Sequence, residues 1–175
     1  MDEPLITDIP LIRRYARHNE AEDWRFRTFM KGRLNLSNDK LDAIVEEITD
    51  DVWSKIDCTT CGNCCKTLQI VVDKDDIKRL APKLGLTPAK FEAEYVTANE
   101  FRDMCFKSSP CRFLGDDNRC TVYEHRPKAC RDFPYLRDRN FRSRSMMMIE
   151  KTAICPIVFN VFQRIKRRFW PVKAR

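Results

Sequence analysis

Glycine is scarce, with four in 175 residues. Neither G-x-x-x-x-G-K nor G-x-G-x-x-G occurs. Phosphate or dinucleotide binding by those glycine loops is therefore excluded. Histidine is scarcer still, with His18 and His125 alone. There is no H-E-x-x-H, which argues against a zinc hydrolase of that type. No serine or cysteine stands with an obvious histidine partner, as an activated nucleophile needs. The spacing C-x3-C-x2-C of radical S-adenosylmethionine chemistry is missing too. No apolar run approaches the roughly 20 residues that span a bilayer. Met1-Asp2-Glu3-Pro4-Leu5 offers neither a basic n-region nor an apolar h-region, so it does not read as a signal peptide. The expected location is the cytoplasm. No internal repeat and no low-complexity segment is seen.

Cysteine is plentiful, with nine. A reducing cytoplasm keeps thiols free, so nine cysteines point to metal rather than disulfides. An odd number also disfavours a pure disulfide framework. Four thiols fall within Cys58-Thr59-Thr60-Cys61-Gly62-Asn63-Cys64-Cys65. Thiolates are the soft ligands that zinc and iron–sulfur clusters select. The spacing Cys58, Cys61, Cys64 matches the first three ligands of a bacterial ferredoxin run. Gly62 suits the tight turn such a loop needs. Neighbouring side chains point apart, so Cys65 reads as facing a second site or as a spare thiol.

The net charge of +7 permits an acidic partner or nucleic acid without demanding either. Part of it offsets thiolates, since a four-cysteine zinc or oxidised cubane site carries about −2 by charge counting. Lys66, Arg112, Arg119, Lys128 and Arg131 crowd the cysteines in sequence.

The expected fold class is α+β: a mostly helical small domain, with a short β-hairpin or small sheet built around a cysteine-ligated site. Three segments are expected: helical residues 1–57, a cysteine-cluster domain over 58–156, and a basic helix and tail over 157–175. Pro10 suits the start of a helix running to about Gly32, with a break near Asn19. Ser37 caps a second helix, on which Leu41, Ile44, Val45, Ile48, Val52 and Ile56 follow helical periodicity. Leu68–Val72 reads as a strand. Asp73 caps a helix over about 74–84, ended by Gly85. Thr87-Pro88 starts another helix, with Phe91, Tyr95 and Val96 inward. These two short helices resemble a helix-turn-helix, but Glu92 and Glu94 make a poor phosphate-seeking face.

Cys111–Leu114 and Arg119–Tyr123 flank a polar turn and read as a hairpin. Arg126–Arg131 reads as a short helix. Residues 139–149 read as a strand with Met146, Met147 and Met148 packing. Cys155-Pro156 opens a final helix with a basic end: Arg164, Lys166, Arg167, Arg168, Lys173 and Arg175. Those cations suit a helix C-terminus. They also suit docking of an acidic protein or nucleic acid.

Cys105 stands alone and reads as a small buried hydrophobe. His18 and His125 read as ordinary histidines. Eight cysteines remain as metal ligands: Cys58, Cys61, Cys64, Cys65, Cys111, Cys120, Cys130 and Cys155. One allocation puts Cys58, Cys61, Cys64 and Cys155 on a [4Fe-4S] cubane, because Cys155-Pro156 looks like the remote cysteine-proline of a ferredoxin. Cys65, Cys111, Cys120 and Cys130 are then left for a second metal. A single site using four or five of the eight stays open.

The pattern resembles the CxxCxxCC family, the YkgJ-type cysteine-cluster proteins described as zinc- or iron-chelating domains. Three stretches carry the likeness. They are Cys58-x2-Cys61-Gly62-x-Cys64-Cys65, the run from Cys111-Arg112-Phe113-Leu114 to Cys130-Arg131-x-Phe133-Pro134, and Cys155-Pro156. The likeness covers about residues 58–156. It is also similar to the cysteine region of flagellin lysine methylases. It implies metal or cluster binding and no particular reaction.

Three functions follow. An iron–sulfur protein, as an oxidoreductase or an accessory to a transfer reaction, predicts a brown protein that bleaches on reduction. A zinc-stapled module acting through its basic C-terminal helix predicts a colourless one. A metal-handling protein predicts labile metal. The ferredoxin-like spacing favours the cluster. Oligomeric state is not legible in the sequence.

Overall fold

The computed structural model describes residues 4–170. Among them are eight α-helices and two strands. In order these are α1 (Ile9–Gly32), α2 (Asn38–Trp53), α3 (Asn63–Thr67), α4 (Lys74–Leu80), α5 (Pro88–Tyr95), β1 (Val96–Ala98), β2 (Met104–Phe106), α6 (Lys128–Asp132), α7 (Phe141–Thr152) and α8 (Pro156–Phe169). The fold is mostly helical with a small antiparallel sheet, an α+β arrangement. No helix among the described residues is long and apolar enough to cross a membrane. The chain divides into two compact units: Met1–Asp57 with Pro134–Arg175, and Cys58–Phe133.

The first unit is a helical bundle. Asp8 caps α1 by accepting from Leu11 N at 2.7 Å, and Pro10 sits in its first turn. The expected break near Asn19 is absent; no proline or glycine interrupts the 24-residue helix. Ser37 caps α2, which buries Leu41, Val45, Thr49 and Val52 along one face.

Residues 141–152 are helical, not the strand that the alternating arginines suggest. Phe141, Ser145, Met148, Ile149 and Thr152 are buried, a helical period. The missing signal is a cap from far away. The Asp42 carboxylate accepts from Asn140 N at 2.7 Å and Phe141 N at 2.9 Å. Of the three methionines only Met148 is in the core; Met146 and Met147 are exposed.

Helix α8 opens at Cys155-Pro156 as expected and buries Ile157, Val158, Val161, Phe162 and Ile165. Its basic end faces carboxylates of the same unit. Lys166 donates to Glu22 at 3.0 Å and to Asp23 at 2.7 Å. Arg164 pairs with Asp51, and Arg168 lies 3.9 Å from Glu47. Lys173 and Arg175 fall outside the described residues.

The second unit is built from short pieces. Asp73 and Asp76 form a capping box at the start of α4. The helix runs on through a tighter turn, Ala81–Leu84, to a left-handed Gly85. Thr87 caps α5 with Pro88 in its first turn. The regular sheet is not the expected one. Val96 leaves α5 for β1, which pairs antiparallel with β2 through Val96↔Phe106, Thr97↔Cys105 and Ala98↔Met104. Asn99 makes the turn by accepting from Phe101 N and Asp103 N, 2.9 Å each.

The expected strand at 68–72 contributes a single bridge, Val71↔Cys105. Its flanking bonds are Val72 N to Met104 O and Phe106 N to Ile70 O. The core joins Ile70, Val72, Ile77, Leu80, Ala81, Phe91, Val96, Phe106, Phe113 and Val122. Cys111, Cys120, Ala129 and Cys130 pack against it.

Candidate metal centre

All nine cysteines are free thiols. Seven of the eight candidate ligands lie in the second unit; Cys155 lies in the first. Cys155 is 7% exposed and occupies the cap position of α8.

The first cysteine loop is a chain of tight turns. Cys58–Thr60 is a 3-10 turn, with Cys61 N donating to Cys58 O at 3.3 Å. Gly62 follows with φ +60°, a left-handed conformation that favours glycine. It starts α3, which carries Cys64 and Cys65. A Cβ on Gly62 would stand 3.0 Å from Asn118 Cβ and 3.1 Å from Asn118 O. Gly62 therefore lets this loop rest on the turn that joins Cys111 to Cys120. Gly62→Ala is expected to destabilise the second unit by about 1–3 kcal/mol through backbone strain alone. It should also lower metal content. Denaturant unfolding and metal analysis check this, and wild-type values in both would refute the role.

The second cysteine block is tied to the first by its backbone. Cys111 N donates to Cys65 O at 2.8 Å. The expected hairpin is reduced to one bridge, Leu114↔Cys120. Around it, Gly115 N bonds Arg119 O and Thr121 N bonds Phe113 O, 2.8 Å each. Asn118 is left-handed with φ 63°. The chain turns too tightly there for two strands to extend. Helix α6 then carries Cys130.

Cys65, Cys111, Cys120 and Cys130 influence one another's titration, and Cys64 adds to the effect at Cys65. Each of the six pairings among Cys65, Cys111, Cys120 and Cys130 raises a thiol pKa in the set. Burial is the larger cause for three of them. It pushes Cys111 up to about 11 and Cys130 up to about 12, and it raises Cys120. Cys65 is raised first by its contact with Cys64 and then by burial; the two Sγ atoms lie 4.0 Å apart, so these neighbouring side chains do not point apart as expected. Arg126 opposes the rise at Cys120 and Cys130. Its guanidinium stacks 3.8 Å above the Tyr123 ring.

Among the described residues, no three His, Cys, Asp or Glu side chains are gathered so as to hold a metal ion as they stand. The fit to metal rests on donor chemistry. Four half-buried thiols whose pKa values are raised are stabilised as thiolates by a soft cation, with Arg126 assisting at Cys120 and Cys130.

Two readings of basic residues change. Arg112 stacks on Tyr95 and lies 3.7 Å from Glu94, and Lys128 pairs with Asp132. Lys66 acts on Cys65 as expected, and Arg126, which the sequence did not single out, acts on Cys120 and Cys130. Its only local sign is its place in Arg126-Pro127, between Cys120 and Cys130.

The family comparison agrees with this chemistry. Residues 57–156 match the family model CxxCxxCC, described as "Putative zinc- or iron-chelating domain". The chain belongs to the CxxCxxCC family. The matched region of this CxxCxxCC protein takes in all nine cysteines. No curated protein and no solved structure matches the chain.

Cys105 stays outside the candidate set. It is 0% exposed on β2, and its Sγ donates to Thr97 O at 3.4 Å. Burial raises its pKa, with Asp103 adding to the rise. A serine hydroxyl can make the same bond. Cys105→Ser is therefore expected to fold and to keep its full metal complement. Loss of metal in that variant would return Cys105 to the site.

Proposed function

We propose that residues 58–133 hold thiolate-bound metal, with Cys65, Cys111, Cys120 and Cys130 as one four-sulfur ligand set. The observation that supports this reading most is that the backbone ties Cys111 to Cys65, with Cys111 N donating to Cys65 O at 2.8 Å, while Cys111, Cys120 and Cys130 pack against one core. Cys58, Cys61 and Cys64 keep the ferredoxin-like spacing. We assign them to an iron–sulfur centre, [4Fe-4S] by the spacing, that adjoins the four-sulfur set where Cys64 Sγ lies 4.0 Å from Cys65 Sγ. The protein is then an electron-transfer or transfer-accessory protein rather than a hydrolase. Zinc suits the four-sulfur set equally well as a structural ion. Uptake must displace thiol protons, so affinity rises with pH.

The alternative of docking through the basic C-terminal helix has less to work with. Arg164, Lys166 and Arg168 already face carboxylates of their own unit.

Metal and sulfide analysis with an absorption spectrum, on anaerobically purified protein, tests the reading. The expected result is iron and sulfide with a broad visible band that bleaches on reduction. Stoichiometric zinc in a colourless protein would keep the ligand set and remove the redox role. Protein isolated without either metal would overturn both.

A further inference from the structure

The strand of chain between Cys120 and Cys130 is held by an ion pair that the sequence gives no reason to connect with it. Asp76 lies on α4, 52 residues before Lys128. Its carboxylate is 2% exposed. One oxygen accepts from Lys128 N at 3.0 Å and from Arg79 Nη2 at 2.5 Å. The other accepts from Asp73 N at 3.2 Å. Arg79 reaches the same stretch from the other side of the pair. Its Nε donates to His125 O at 3.4 Å and its Nη2 to Arg126 O at 3.1 Å. Arg131 donates to the same Arg126 carbonyl at 2.8 Å.

Three consecutive backbone features between the two cysteines are thus fixed from α4: two carbonyls and one N–H. That N–H belongs to the first residue of α6, and Cys130 is the third. Pro127, at the cap position of this helix, makes no side-chain cap. Asp76 supplies the cap from elsewhere in the fold. The pair itself is well suited to the task. A buried carboxylate with three donors, one of them a charged guanidinium nitrogen, has one preferred orientation. Helix α4 is in turn anchored by Ile77 and Leu80 in the core against which Cys111, Cys120 and Cys130 pack.

We propose that Asp76 and Arg79 are positioning residues for the metal centre. They set the distance and direction of the Cys120 and Cys130 sulfurs relative to Cys65 and Cys111. This inference rests on the four-sulfur reading given above. Outer-shell groups that orient ligands typically change metal affinity by about 10- to 100-fold when removed. Here the action passes through the backbone rather than through a bond to the ligand.

The test uses full-length protein loaded with cobalt(II), whose thiolate charge-transfer and ligand-field bands report coordination geometry. Affinity is read by chelator competition, and metal-free stability by denaturant unfolding. Asp76→Asn keeps the shape and an oxygen acceptor but loses the charge that holds Arg79. Arg79→Lys keeps the charge but loses the fork. Thr87→Ala removes the cap of α5 in the same unit and serves as the control for simple destabilisation.

The expected result is cobalt affinity about 10- to 100-fold weaker in Asp76→Asn, with shifted cobalt bands. Arg79→Lys should fall between it and the wild type. Thr87→Ala should lose stability with unchanged bands. Wild-type affinity and bands in both Asp76→Asn and Arg79→Lys would overturn the positioning role while leaving the ligand set intact. Bands shifted equally by Thr87→Ala would overturn it too. A wild-type protein that shows no thiolate–cobalt bands would instead sink the four-sulfur reading itself.

Discussion

Stripping metal with a strong chelator is expected to unfold residues 58–133 while the helices of residues 4–57 and 134–170 keep their protection. The second unit has little else to hold it. Its helices run to five, seven, eight and five residues, and its strands to three each. Helices that short do not persist without tertiary support. The apolar core of this unit is ten buried side chains, small beside the ordering entropy of 76 residues. Structural metal contributes about 10–16 kcal/mol to folding at neutral pH in small thiolate modules. The other unit has helices of 24, 16, 12 and 14 residues packed along continuous apolar faces. Hydrogen exchange read by mass spectrometry separates the two. Amides of residues 58–133 that stay protected after complete metal removal would show that metal is a passenger there.

The second large effect is in the other unit. Lys166→Met is expected to destabilise it by about 3–5 kcal/mol, because it leaves a buried carboxylate without its partner. The Lys166 side chain is 8% exposed and that of Asp23 is 1%. Replacing both, as Asp23→Leu with Lys166→Met, should restore stability to near wild type or above, since the pair's desolvation penalty goes with it. Burial already raises the Asp23 pKa above 3.8, against the lowering effect of Lys166. Losing the lysine removes that opposition.

A raised carboxyl pKa means the folded state holds its proton more tightly than the unfolded state. Lowering the pH through the folded-state value therefore returns stability. The deficit of Lys166→Met should shrink on acidification relative to the wild type. A deficit that grows in acid would contradict this account of the pair.

Much of this protein could be read from local chemistry. Ser37, Asp73 and Thr87 mark helix starts, and Gly85 marks an end, because a cap is a bond within three or four residues. The cysteine spacing identified a metal-chelating family because thiolate ligation dictates spacing directly. The burial of Cys105 was legible as the default for a lone thiol.

The failures share a cause. Residues 141–152 are a helix because Asp42 caps them from about a hundred residues away. Val96 joins β1 because β2 is there to pair with it.

By itself the sequence determined the family and the atom it offers to metal: sulfur, in number, at metal-ligand spacing. Only the tertiary structure decided that Cys111 is tied to Cys65 through the backbone and that α4 holds the chain between Cys120 and Cys130. It also decided that the last two helices pack into one unit with the first two. Bond chemistry is local and leaves its mark in neighbouring residues. Proximity across fifty or a hundred positions is set by shared burial, and no short stretch of sequence carries it.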